Sequence, residues 1–379
     1  MRPLLAYCES HLAEMLETID ALVRLESPST DKAAVDRCGA ALAKILRRAG
    51  ADVEMLPQSM RGDHVRARVA GSGRRVLLLG HFDTVWPIGT LARMPLRREG
   101  DRLYGPGIFD MKAGIAIAVT AIAALRATSS PHPPITMLWT TDEEIGSATS
   151  RGVIEAEARD AAAVFVLEPS LPAGALKTAR KGVGEFRLTI HGVAAHAGVD
   201  PGKGASAIHE LAAQILAIEQ LQDLPRGVSV NVGVIAGGSR PNVVAEEAQA
   251  VIDVRAVARG DAERVERALR ALRPVRQGTR LNVDGGFNRP PMERTEAIAH
   301  LFGRARDLAS EIGHGLAEGA TGGASDGNFT AALGVPTLDG LGAIGDGAHA
   351  AHEYIDVAAL PWRAALVAGL IKSLYAERT

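Results

Sequence analysis

Three short apolar runs constrain this chain more than any other feature: residues 76–79 (Val-Leu-Leu-Leu), 135–139 (Ile-Thr-Met-Leu-Trp) and 163–167 (Ala-Val-Phe-Val-Leu). The first is rich in branched residues and closed by Gly80, so it reads as a buried strand. Each run delivers side chains of metal-ligand type. The first leads into Gly80-His81-Phe82-Asp83-Thr84-Val85, the second into Thr140-Thr141-Asp142-Glu143-Glu144, and the third into Glu168. Between the first two lies a stiff glycine-proline turn, Gly105-Pro106-Gly107-Ile108-Phe109-Asp110-Met111-Lys112. In open α/β sheets, ligands gather at the carboxyl ends of the strands. One histidine and several carboxylates converging there suit a hard-to-borderline divalent ion, with zinc first.

Taken singly, each residue has a plainer reading. His81 alone could be a satisfied structural histidine, and Glu143-Glu144 a solvated pair complementing a helix dipole. Asp110 alone could be an N-cap for the helix beginning at Lys112. Their arrival at one edge of one sheet favours the metal site.

Helices are expected over 4–25 and 32–49, strands over 53–56, 65–69 and 76–79, and a helix over 112–126. Strands alternating with helices imply an α/β fold: a mostly parallel sheet covered by helices on both faces. After about residue 177 the pattern changes. Phe186, Leu188 and Ile190 alternate with polar residues, as do Val228 to Val234 and Ala250 to Val254, with amphipathic helices between. The order β-α-β-β-α-β is that of a ferredoxin-like unit. The α/β pattern resumes near residue 290 with a helix around 298–308, a strand at 335–338 and a helix over 357–374. The expected organisation is therefore a catalytic domain at 1–177 and 287–379, interrupted by an inserted domain at 178–286.

Composition narrows the function classes. Net charge is −2, from 42 Lys+Arg against 44 Asp+Glu, which gives no electrostatic case for nucleic acid or an anionic membrane. Scarce aromatics argue against base-stacking platforms. No run of membrane-spanning length is expected. Cys8 and Cys38 make no disulfide framework, and Cys38 falls on the apolar stripe of a helix. The N-terminal pattern is amphipathic rather than that of a signal peptide, so a cytoplasmic location is expected. Gly105-Pro106-Gly107 lacks the third glycine of a dinucleotide fingerprint, and 319–327 lacks the lysine of a P-loop. Gly322-Gly323-Ala324-Ser325-Asp326 reads either as a flexible turn near substrate or as a plain loop.

The motifs His81-Phe82-Asp83, Asp110-Met111-Lys112-Ala113-Gly114, Asp142-Glu143-Glu144-Ile145-Gly146, Ala195-His196-Ala197-Gly198 and His349-Ala350-Ala351-His352-Glu353-Tyr354 together carry a family resemblance. The chain resembles the di-zinc metallopeptidases that include bacterial glutamate carboxypeptidase, aminoacylase, acetylornithine deacetylase and succinyl-diaminopimelate desuccinylase. Ala179-Arg180-Lys181-Gly182 and Asn288-Arg289-Pro290-Pro291 bring it nearest the glutamate carboxypeptidase branch.

The resemblance implies that Asp110 bridges two divalent ions, zinc first and cobalt or manganese as alternatives. His81 and Glu168 would complete one ion's ligands, and Glu144 and His349 the other's. His352 is the rival to His349, and motif spacing selects His349. Two ions about 3.5–4 Å apart can hold a shared water and lower its pKa. Glu143 would be the general base, and Asp83 would orient His81. The Asp110–Met111 peptide bond is cis in this family. The inserted domain would close over substrate and form a homodimer, with His196 stabilising the oxyanion and Asn242 beside it. Arg289 would clamp a substrate carboxylate, with Arg255 a weaker candidate; His191 reads as a solvent-facing strand residue.

The expected activity is hydrolysis of the amide bond of a small peptide or N-acyl amino acid with a free carboxylate, as a carboxypeptidase. Deacylation of acetylornithine deacetylase or aminoacylase type is the alternative. A non-catalytic metal- or peptide-binding protein would have no use for Glu143 beside a ligand. A dinuclear phosphoesterase would bring more histidine and basic residues to the site.

Overall fold

The structure, a computed structural model, describes residues 1–376. In chain order its main elements begin with helices α1 (Arg2–Ser10), α2 (Leu12–Val23) and α3 (Lys32–Arg48). Strands β1 (Asp52–Leu56), β2 (His64–Val69) and β3 (Val76–His81) follow, then α4 (Ala113–Ala127), β4 (Ile135–Thr140), α5 (Arg151–Arg159) and β5 (Ala163–Val166). Next come β6 (Gly182–His191), α6 (Ala207–Glu219), β7 (Ser229–Gly237), β8 (Glu247–Ala256), α7 (Arg259–Arg270) and β9 (Arg280–Arg289). The chain finishes with α8 (Glu296–Glu311), β10 (Thr337–Leu338) and α9 (Leu360–Ala376).

Two compact units result. One comprises Met1–Thr178, Arg294–Ala320 and residues 325–376; the other comprises Ala179–Glu293 with Thr321–Ala324. The insert was expected to end at 286. It runs further because β9 continues to Arg289 and Met292 then exchanges backbone hydrogen bonds with Arg180, each 3.0 Å.

The first unit is built on a six-stranded sheet in the order β1-β2-β4-β3-β5-β10. The pairs β3/β4, β3/β5 and β5/β10 are parallel, while β1/β2 and β2/β4 are antiparallel. The central strands are buried at every position because both sheet faces are covered. Val76 and Leu78 join one core with Met137, Phe165 and helix α4, whereas Leu77 and Leu79 join the other with Leu138, Val164 and Ile154 of α5. Side chains alternate across a strand, so no position on β3 reaches water.

Two expectations are corrected. The single helix over 4–25 is broken at His11, whose backbone leaves the helical range while its ring stacks on Tyr7. Two segments, Ile108–Ala127 and Val357–Tyr375, are long and apolar enough to cross a membrane. Most of each is buried in the unit, as expected of core helices.

The second unit is a four-stranded antiparallel sheet in the order β7-β8-β6-β9, with α6 and α7. That order, with this β-α-β-β-α-β succession, is ferredoxin-like. Burial alternates strictly along β6 and β8, and Phe186, Leu188, Ile190, Ala250, Ile252 and Val254 pack against α6 and α7 residues.

Candidate metal centre

The sheet topology brings the three strand ends that bear the expected ligands to one edge. In the parallel β3/β4 pair His81 lies opposite Thr140, so Asp142, Glu143 and Glu144 begin beside it. Strand β5 lies on the other side of β3 and leads into Glu168.

Asp110 reaches the same place through an irregular turn, Ile108–Lys112, in which Asp110 and Met111 leave the helical range. The Asp110–Met111 bond is cis, as the family resemblance implied. Gly80 makes room for this turn: a Cβ there would lie 2.4 Å from Met111 Cε. The His81 amide donates to Met111 Sδ at 3.3 Å.

The geometry fixes the His81 tautomer. Nδ1 lies 3.0 Å from the Asp83 carbonyl oxygen, which can only accept, so Nδ1 carries the proton. In the neutral ring Nε2 is then the nitrogen without a proton, and it faces Asp110 Oδ1 and Glu168 Oε1, each at 3.3 Å. Asp110 Oδ2 lies 3.4 Å from His349 Nε2, which is itself 3.1 Å from Glu144 Oε2. Asp110 thus stands with one carboxylate oxygen toward each histidine. Ligand atoms of His81, Asp110 and Glu144 all lie within 4.8 Å of one another, as do those of His81, Glu143 and Glu168.

The Asp83 carboxylate was expected to orient His81, but the nearer contact is its backbone carbonyl; the carboxylate Oδ1 is 3.4 Å from Nδ1. Oδ2 instead accepts from Ser29 Oγ at 2.6 Å and from the Glu144 amide at 3.3 Å. Asp83 therefore touches the segments bearing two of the proposed ligands.

Electrostatics couple the members of the cluster closely. Burial alone would raise the Asp110 carboxyl, yet His349 and His81 beside it hold it well below the usual carboxylate range. Burial pushes the Glu144 carboxyl up. Hydrogen bonds to Asp110 and Glu144 push the His349 imidazole up to about 10. His81 is raised well above its ordinary value despite burial, through Asp110, Asp83 and Glu168. Among the buried polar atoms without a hydrogen-bond partner are His81 Nε2, Asp83 Oδ1, Asp110 Oδ1 and Glu144 Oε1. Such orphans are costly unless a ligand satisfies them. Imidazole nitrogens with carboxylate oxygens fit zinc, cobalt or manganese.

The remaining expected site residues lie in the second unit. His196 and Asn242 occur on adjacent exposed loops, joined by a hydrogen bond from the Ala197 amide to the Asn242 carbonyl at 3.0 Å. The Gly198 amide donates to His196 Nδ1 at 3.1 Å, which leaves Nε2 as the proton-bearing nitrogen of the neutral ring. Arg289 ends β9 and is buried. Arg255 pairs with Asp253 on the same face of β8, with Nη2 at 2.8 Å from Oδ2, so its guanidinium already holds a carboxylate. His191 is exposed at the end of β6. His352 is exposed as well.

Sequence reading missed the frame around the expected ligands. Ser325 and Asp326 are buried, and Asp326 accepts from Thr140 Oγ1 at 3.1 Å and from Ser147 Oγ at 2.5 Å, bracketing the Glu143–Glu144 turn. The Ser-Asp pair in a glycine-rich segment was the available signal. Ser29 carried none.

Against known proteins, the profile described as Peptidase family M20/M25/M40 matches residues 77–373. Carboxypeptidase G2 of Pseudomonas sp. (strain RS-16) is 31% identical over 373 residues, spanning 96% of this chain and 90% of that protein. A putative succinyl-diaminopimelate desuccinylase, DapE, of Mycobacterium tuberculosis is 31% identical over 296 residues, 73% of this chain and 77% of its own length. Aminopeptidase PepT from Bacillus cereus shares the fold, with a TM-score of 0.78 at 23% identity over 96% of this chain and 98% of that one.

Proposed function

We infer, from the premise that this chain belongs to peptidase family M20/M25/M40 and is a metal-dependent hydrolase of peptide-like substrates, that it is a carboxypeptidase of glutamate carboxypeptidase type. The observation that carries this reading is Asp110, set between the Nε2 atoms of His81 and His349 with Glu143 close by.

His81, Asp110 and Glu168 would hold one divalent ion, and Asp110, Glu144 and His349 the other. When bound, such a pair supplies Lewis acidity and lowers the pKa of water. Everything else falls to the chain. Glu143 takes a proton from the attacking water at its carboxylate and delivers it to the departing amine nitrogen. The Asp83 carbonyl keeps the His81 proton on Nδ1. His196, through its Nε2–H, donates to the oxyanion that develops on the substrate carbonyl, with Asn242 assisting. Arg289 takes the free carboxylate in the paired geometry that guanidinium allows. A homodimer through the ferredoxin-like unit and a cytoplasmic site of action belong to the same proposal. Unpaired, buried Cys8 and Cys38 support the latter.

A panel of peptides and acyl-amino acids ending in Glu, Asp, Phe or Leu tests the reading, with metal content measured on the same preparation. Release of the C-terminal residue by the wild type, abolished in Glu143→Ala with metal retained, is the expected result. Similarity to the DapE relative favours one alternative, removal of an acyl group from an amino acid. Turnover restricted to acyl-amino acids would establish that alternative.

A further inference from the structure

Glu353 lies in the motif that supplies His349, yet no role above uses it. Its carboxylate is fully buried and accepts four hydrogen bonds. Oε2 takes Trp86 Nε1 at 2.9 Å and the Gly107 amide at 2.8 Å. Oε1 takes the Phe109 amide at 2.9 Å and the Asp110 amide at 3.0 Å. Three backbone amides of the Asp110 turn, those of Gly107, Phe109 and Asp110, therefore converge on one side chain distant in sequence.

The Glu353 backbone makes the other half of the link. Its amide donates to the Ala350 carbonyl at 3.0 Å, and the Ala350 amide donates to Gly347 at 2.8 Å, closing the loop in which His349 sits at φ 61°. Its carbonyl accepts from Gly105, at the start of the Asp110 turn, at 3.2 Å. The packing is tight, since a Cβ on Gly347 would stand 2.9 Å from Glu353 Cα.

We propose that Glu353 is the positioning residue that locks the Asp110 turn to the His349 loop, and thereby sets the spacing of the metal centre. The proposal rests on the reading of Asp110 and His349 as ligands. Only an ionised carboxylate can accept at both oxygens from all four donors. A glutamine would turn an NH2 group toward two N–H donors. The resulting displacement falls on the Asp110 amide, one residue's backbone away from the carboxylate that faces both histidines. Partners that orient ligands commonly change metal affinity 10–100-fold when removed.

The test is zinc titration of full-length wild type, Glu353→Gln and Trp86→Phe against a competing chelator, with thermal unfolding followed in parallel. Zinc affinity at least tenfold weaker in Glu353→Gln, and weakened to a smaller extent in Trp86→Phe, supports the proposal. Unchanged zinc affinity and stoichiometry in folded Glu353→Gln overturns it, even if that variant melts earlier, because the role is then stability alone. Should Glu353→Gln fail to fold, unchanged zinc affinity in Trp86→Phe overturns it. A wild type that binds no zinc removes the metal-centre reading itself, a result distinct from either variant outcome.

Discussion

Gly114→Ala tests whether the spacing of the site depends on backbone packing beneath it. Gly114 is the second residue of α4, just after the Asp110 turn, and a Cβ there would lie 2.1 Å from the carbonyl oxygen of Leu167, the residue before Glu168. Cβ contacts below 3.0 Å essentially never occur, so the added methyl falls short by 0.9 Å (3.0 − 2.1). The obstructing atom is backbone and cannot rotate away. Met111 Cε, at 2.9 Å, blocks retreat on another side. Helix α4 and the end of β5 must therefore separate by about 1 Å, a scale of overpacking that costs about 1–3 kcal/mol. In a unit of this size that lowers Tm by about 2–10 °C. The same displacement lies between the Asp110 and Glu168 ligand positions, where misplacement of about 1 Å can cost roughly 10²-fold in rate. Calorimetry, metal analysis and turnover on one preparation check all three effects. A variant with wild-type Tm, metal content and rate would refute the packing argument.

Other expectations are simpler to state. Metal binding at pH 7 should release protons, because Asp110 and Glu144 push His349 up to about 10 and His81 is also raised. The apparent affinity should then climb with pH through the neutral range, by about tenfold per unit for each proton displaced; calorimetry in buffers of differing ionisation enthalpy measures it. The stability of the metal-free protein runs the opposite way. A histidine pKa raised by folding stabilises fully below about 6.5 and loses that contribution as pH rises through about 10, so metal-free Tm should fall across that window. Arg289→Ala should raise KM and lower kcat for substrates with a free carboxylate, and equal kinetics would remove the clamp. Gly303→Ala, within α8 and with open space at the added Cβ, should stabilise the fold by about 0.5–1 kcal/mol in denaturant titration.

The two-unit plan was legible because its signals are periodic. Continuous apolar runs at 76–79 and 163–167 announce strands buried on both faces, and the alternation at Phe186, Leu188 and Ile190 announces a half-exposed one. The meeting of His81 and Glu168 was legible for the same reason, both being tied to strand ends. The break at His11 was not, since it depends on one backbone conformation and a ring stacked on Tyr7, neither of which disturbs the apolar spacing. The frame of the site was equally hidden. Ser29 meets Asp83, and Glu353 meets Asp110, only because the sheet closes long stretches of chain. The end of the insert was misread because β9 carries exposed, glycine-containing positions up to Arg289 and so lacks a clean alternation.

The central claim is that one carboxylate serves two ions. Metal stoichiometry of dialysed wild type and Asp110→Asn, measured side by side by mass spectrometry, addresses it most directly. The account predicts two divalent ions per wild-type chain and loss of tight binding of both in Asp110→Asn. A variant that keeps both ions at wild-type affinity, or loses only one, would contradict it.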